Sequence, residues 1–200
     1  MENKNLRSYY HGTSHENAMK IIKEGFTSPQ TNWNCCNGEE TYFYKEDRFN
    51  MEEVLHSAVG SAQITSALQN SQSDKICILR VEIPEDSNIY IAPDYSVDDA
   101  ITNETAVVIK NDELNAAIST GKAILSYIEI EDTYNPYLRF VYLSNINDEF
   151  INIDNLSKAE VEAFNIFQRN ASEISGLYED AIGYQDLEDL NFIQVKLENV

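Results

Sequence analysis

The apolar positions change period repeatedly along the chain, and each change marks an element. Leu6 to His11 reads as a short strand carrying Tyr9 and Tyr10. Ser14 follows as a helix N-cap, Ala18, Ile21 and Ile22 form the apolar stripe, and Gly25 closes the helix. Thr27 to Glu40 is polar, contains Pro29, Trp33 and Gly38, and reads as a loop. Thr41-Tyr42-Phe43-Tyr44 is a short aromatic strand. Met51 to Leu68 repeats apolar residues every three or four positions (Val54, Leu55, Ala58, Ala62, Thr65, Leu68) and predicts a helix.

The second half continues the mixture. Strands are expected over Lys75 to Ile83, ending at Pro84, and over Ile89 to Ala92. A turn of helix is expected at Val97 to Ile101 and a β-branched strand at Thr105 to Ile109. Asp112 to Ser119 reads as a short helix, and Ala123 to Ile130 and Leu138 to Leu143 as strands. From Ile151 the texture becomes more helical. Ser157 to Ile174 predicts a helix, Leu177 to Leu190 is ambiguous, and Phe192 to Val195 suits a closing strand. Helices and strands do not alternate in regular βαβ units, so the expected class is α+β with a largely antiparallel sheet. Residues 1–150 are expected to form one domain. Residues 151–200 are expected to form a helical extension packed on it.

Composition narrows the function classes. The chain carries 34 acidic and 14 basic side chains, a net charge of −20. A nucleic-acid backbone is bound by clustered Lys and Arg. Here the basic residues are scattered, so a stable DNA or RNA complex is disfavoured and a protein partner is expected. No segment approaches the roughly 18 apolar residues of a membrane span. The N-terminus has no signal-peptide pattern, so cytoplasmic residence is the expectation, with a secreted or injected effector as the alternative. Three cysteines, two of them adjacent (Cys35-Cys36), do not form a disulfide framework or a metal-ligand spacing. Cys77, in an apolar run, reads as core.

The candidate chemistry gathers at Tyr9-Tyr10-His11-Gly12-Thr13-Ser14. An aromatic pair, a histidine, a glycine and two hydroxyl residues at the end of a strand can grip a small polar ligand. With Ala18, Ile21-Ile22 and Gly25-Phe26, this segment resembles the first motif of the ADP-ribosyltransferase superfamily. The likeness is to the diphtheria-toxin and poly-ADP-ribose-polymerase branch, named for a His-Tyr-Glu triad. Thr41-Tyr42-Phe43 with Asp47 nearby resembles the second motif, and Asn103-Glu104-Thr105-Ala106-Val107-Val108 the third. The resemblance spans roughly residues 6 to 143. It implies a split, mostly antiparallel β-sheet sandwich with flanking helices.

It also implies NAD as co-substrate, no metal, and transfer of ADP-ribose to a macromolecule, with a bacterial or phage toxin, effector or defence component as the setting. Cleaving the nicotinamide–ribose bond develops positive charge on the sugar, so a fixed carboxylate is needed beside it. Glu104 would supply it. Tyr42 would pack on the nicotinamide ring, with Tyr44 its competitor on the same strand face. The Gly12 backbone would meet the carboxamide, and a side chain there would obstruct the approach. His11 would bond the other ribose, and Tyr10, Thr13 and Ser14 would complete the site. Lys45 and Arg48 are candidates for the pyrophosphate, and Phe49 and His56 for the second nicotinamide face. His15 reads as a solvated helix residue.

Three alternatives stand beside this reading. Glu129 and Glu131 form a Glu-x-Glu pair similar to that of the arginine-specific branch, with Arg7 as its arginine. An RNA 2′-phosphotransferase also uses NAD and a His-Gly motif, but must grip an RNA phosphate. A catalytically inactive acidic mimic on the same fold would use the charge alone.

Overall fold

β1 (Leu6–Ser14) is the spine on which the rest is assembled. It runs three residues beyond the strand expected from the pattern. Gly12 and Ser14 are weak strand formers, but with Thr13 they are held in register by neighbours: Gly12↔Ile78, Thr13↔Cys77 and Ser14↔Ile76. Cross-strand pairing and burial override local propensity at these positions. The computed structural model describes residues 5–27, 39–46, 51–69, 71, 73–94, 106–131 and 190–198.

Ser14 ends β1 and caps α1 (His15–Glu24), its hydroxyl accepting from the Asn17 N–H. Gly25 closes the helix at φ 82°, a left-handed value that favours glycine, and its N–H donates to Ile21 O. β2 (Glu40–Lys45) and α2 (Met51–Leu68) follow. β3 (Lys75–Pro84) is buried on both faces, whereas β4 (Ile91–Pro93) is short and lies at the sheet edge. β5 (Ala106–Lys110), α3 (Asn111–Ser119) and β6 (Ile124–Glu131) complete the central part. β7 (Ile193–Val195) is the closing strand.

The seven strands form one sheet in the order β4-β5-β2-β1-β3-β6-β7, and every neighbouring pair is antiparallel. The mixed class and the antiparallel sheet agree with expectation. Among the described residues the strands form one sheet rather than two, but the sheet has a thin place. β1 and β3 share nine registered pairs, while β1 and β2 share two, Tyr9↔Lys45 and Tyr10↔Tyr44.

Each face of the sheet carries its own core. On one face α1 and α3 pack against Tyr9, Phe43, Leu79, Val81 and Ile109, with Phe26 among them. On the other, α2 places Val54, Leu55, Ala58, Val59 and Ala62 over Tyr10, Ile76 and Ile78. A fully buried side chain of this kind contributes about 1.5–3 kcal/mol.

The closing strand expected at Phe192 to Val195 is present as β7. β7 pairs with β6, and Leu190 and Phe192 pack on the α2 core, so this end is a strand of the same sheet. The expected domain boundary at residue 150, most of the loop expected at 27–40, the turn at 97–101, the strand at 138–143, the helix at 157–174 and nearly all of the ambiguous stretch at 177–190 lie outside the described residues. No helix among the described residues is long and apolar enough to cross a membrane.

Candidate functional site

Backbone polar groups alternate sides along a strand. The Asn5 carbonyl of the residue before β1 accepts from Glu85 N, on the β3 side. Ser8 faces the opposite way: its C=O accepts from Glu46 N at 2.8 Å, and its N–H donates to the Glu46 carboxylate at 3.0 Å. The same parity turns the N–H and C=O of Tyr10 and Gly12 toward β2. Tyr10 meets Tyr44 there. The registered ladder then stops, so Gly12 presents one donor and one acceptor to the side where β1 and β2 are no longer paired. Continuing the register would set Tyr42 opposite Gly12.

His11 fills the place of the missing main-chain bond. Its Nδ1 lies 2.8 Å from Tyr42 O. A carbonyl can only accept, so Nδ1 carries the proton and donates. The ring is held by Phe43, with centroids 5.6 Å apart, and by Phe26, edge-on at 6.3 Å. Burial lowers the His11 pKa from its ordinary 6.5, while the bond to Tyr42 opposes the shift. The imidazole is therefore neutral near pH 7, and Nε2 is an acceptor suited to a hydroxyl donor.

Gly12 is required for a reason the sequence did not reveal. A Cβ at this position would collide with the Ala58 carbonyl oxygen and lie 2.9 Å from Ala62 N. The absent side chain makes room for the α2 backbone, not for a ligand. The polar backbone edge of Gly12 remains a candidate ligand contact. The other residues of the segment have structural tasks. Tyr10 is buried beneath α2 with Phe192 6.1 Å away. Thr13 is buried and accepts from Asn17 Nδ2 at 2.8 Å. Ser14, also buried, caps α1 and donates to Gln69 Oε1 at 2.7 Å. These three are walls and fastenings of the site rather than free ligand-binding groups.

The two tyrosines of β2 have different surroundings. Tyr44 Oη bonds Ser61 Oγ of α2 at 2.7 Å, which commits its ring to packing. Tyr42 is half-buried beside the end of the ladder, supplies the carbonyl that fixes His11, and is paired with Val108 of β5. β5 continues with Ala106 opposite Tyr44. Glu104 lies outside the described residues, two positions before β5 begins. Asp47, Arg48, Phe49 and the His56 side chain also lie outside them. Lys45 is half-buried opposite Tyr9.

The alternative acidic pair is built into a different place. Glu129 binds Lys75 Nζ at 2.6 Å and His15 Nε2 at 3.3 Å. The bond from Lys75 lowers the Glu129 pKa. His15 is thus a hydrogen-bond partner of Glu129, not a free solvated residue. Glu129 is registered with Cys77, which faces Thr13, while Arg7 is registered with Ile83 and pairs with Glu85 at 3.1 Å. Thr13 is six residues along the strand from Arg7, about 20 Å. Arg7 and Glu129 therefore cannot form one site. Cys77 is buried and its thiol is pushed up to about 12 by burial, which keeps it protonated. No group of three or more His, Cys, Asp and Glu side chains among the described residues could hold a metal ion.

Comparison with protein-family models, curated proteins and solved structures found no match to this chain. The site therefore rests on its own geometry.

One contributor was missed in the sequence. Asn115 of α3 donates through Nδ2 to Phe26 O and accepts from Phe26 N through Oδ1, both at 2.8 Å. Asn111, one turn earlier, accepts at 2.6 Å from Thr41 Oγ1 of β2. The available signal was two asparagines four residues apart beside the apolar stripe Leu114, Ala117 and Ile118.

Proposed function

We propose that this protein is an NAD-dependent mono-ADP-ribosyltransferase. It moves ADP-ribose from NAD to a macromolecular acceptor, a protein in view of the −20 charge, with release of nicotinamide. The observation that carries the reading is the placement of three distant segments. The His-Gly motif ends β1, the tyrosine motif forms β2, and the strand that follows Glu104 is β5; these three strands are neighbours in the sheet.

In this reading the Gly12 N–H and C=O receive the nicotinamide carboxamide, and Tyr42 packs on its ring. His11 Nε2 accepts from a ribose hydroxyl. The C–N bond between ribose and nicotinamide breaks, and its electron pair leaves on the nicotinamide nitrogen. The Glu104 carboxylate balances the charge that develops on the sugar. The acceptor nucleophile bonds the same carbon and gives up a proton. The wider fold proposal follows: the thin β1/β2 ladder is the split of an ADP-ribosyltransferase-type sheet, and a bacterial or phage effector, toxin or defence role is the setting.

Glu104→Gln tests the reading. It should reduce nicotinamide release by at least about 100-fold, the scale expected when an electrostatic stabiliser is removed, while leaving the circular dichroism spectrum unchanged. Wild-type turnover in a folded Glu104→Gln protein would remove Glu104 from the mechanism.

A further inference from the structure

We infer that Asn115 is a positioning residue for His11, acting through Phe26; the functional consequence rests on the reading of His11 as an NAD-binding group. Asn115 engages both main-chain groups of Phe26, one as donor and one as acceptor, each at 2.8 Å. Such a pair fixes where Phe26 sits and also which way its backbone is turned. The Phe26 ring is almost wholly buried and packs against both His11 and Phe43, with the three rings in mutual contact at 5.6–6.3 Å. Phe26 follows Gly25, whose left-handed φ leaves the chain without helical bonds to hold the next residue. Asn115 supplies that hold from α3, 89 residues away in sequence.

The consequence falls on the imidazole. His11 is kept on Tyr42 O by one hydrogen bond and two rings. If Phe26 shifts, the ring gains room to rotate about its side-chain torsions, and the direction of Nε2 is no longer fixed. Asn111 bonds Thr41 on the same strand as Tyr42, so α3 ties together both parts that meet at His11. A polar clamp suits this task because its two bonds have direction, whereas apolar packing tolerates sliding.

The test uses the full chain with Asn115→Leu, Asn115→Asp and, as control, Thr120→Ala. Thr120 Oγ1 bonds the carbonyls of Ala116 and Ala117 at the end of α3, so its loss perturbs the same helix away from the Phe26 clamp. The first readout is the nitrogen chemical shifts of His11 followed against pH. The wild type and Thr120→Ala should show a single Nδ1-protonated tautomer that titrates below 6.5. In Asn115→Leu the tautomers should mix and the midpoint should rise toward that value, with Asn115→Asp intermediate. The second readout is NAD binding by calorimetry, expected to weaken roughly 10-fold in Asn115→Leu and little in Thr120→Ala. Unchanged His11 signals in folded Asn115→Leu and Asn115→Asp would overturn the inference. Failure of the wild type to bind NAD would instead count against the functional reading, and the His11 signals would still decide the role of Asn115.

Discussion

The two edges of β1 follow opposite rules. Toward β3 the strand is paired along its full length, nine positions from Leu6 to Ser14. Toward β2 it is paired at two, and the next position is taken by a side chain, His11, bonded to a backbone carbonyl. The first edge is a structural seam, where a substitution should cost stability. At the second, the ladder stops beside the half-buried His11 and the buried Gly12, so on the proposed function a substitution there should cost binding. The face beneath α2 belongs with the seam, because Gly12 brings strand and helix backbones into contact.

The largest expected effect is Gly12→Ala. The added methyl meets backbone atoms that cannot rotate away, so the penalty should reach about 3 kcal/mol or more, read as a collapse of the denaturation midpoint. Gly60→Ala serves as its contrast. Gly60 lies within α2 with nothing within 4 Å of the place a methyl would take, and alanine there should stabilise by roughly 0.5–1 kcal/mol. Equal behaviour of the two glycines would break the distinction between contact and open space.

Ser14→Ala should cost about 1–2 kcal/mol by removing the cap of α1 and the partner of Gln69. Because its hydroxyl is committed to the α1 cap and to Gln69, the substitution should leave NAD affinity unchanged once the protein is folded. A variant that keeps its stability and loses NAD would make Ser14 a ligand contact.

His11→Asn should give the reverse pattern. Asparagine can still donate to Tyr42 O but has no group at the Nε2 position, so stability should stay within about 1 kcal/mol while NAD binding weakens roughly 10-fold. The pH dependence sharpens this. Burial lowers the folded pKa of His11 below 6.5. As pH falls through 6.5 the unfolded chain takes up a proton that the folded chain refuses, so the stability present above 6.5 declines until the folded value is passed. His11→Asn should lack that slope in urea titrations repeated across this range.

Much of the fold was legible in the sequence. Met51–Leu68 is a helix with the bounds its apolar spacing predicts, and the capping pair Ser14 and Gly25 delimits α1 as expected. These signals are local, set by period and capping chemistry. The end of β1 was misplaced because Gly12-Thr13-Ser14 gain their strand geometry from Ile76, Cys77 and Ile78, more than sixty residues away. The site was legible in its parts. His11 and Tyr42 could be singled out, but their direct bond runs through a main-chain carbonyl, which no residue pattern encodes. The steric need for glycine at position 12 was missed for the same reason: a sequence shows that a methyl is missing, not which neighbour requires its absence. The bond between the Tyr44 and Ser61 hydroxyls likewise joins two elements that no local pattern pairs.

On the proposed function, NAD enters where the β1/β2 ladder stops. The most direct measurement is a nuclear magnetic resonance titration of the folded protein with NAD, following backbone amides and the histidine rings. The Gly12 amide, the His11 ring and Tyr42 should shift together and saturate, while Cys77 and Leu79 on the paired side stay in place. Saturable shifts confined to other residues, or none at millimolar NAD, would contradict the claim.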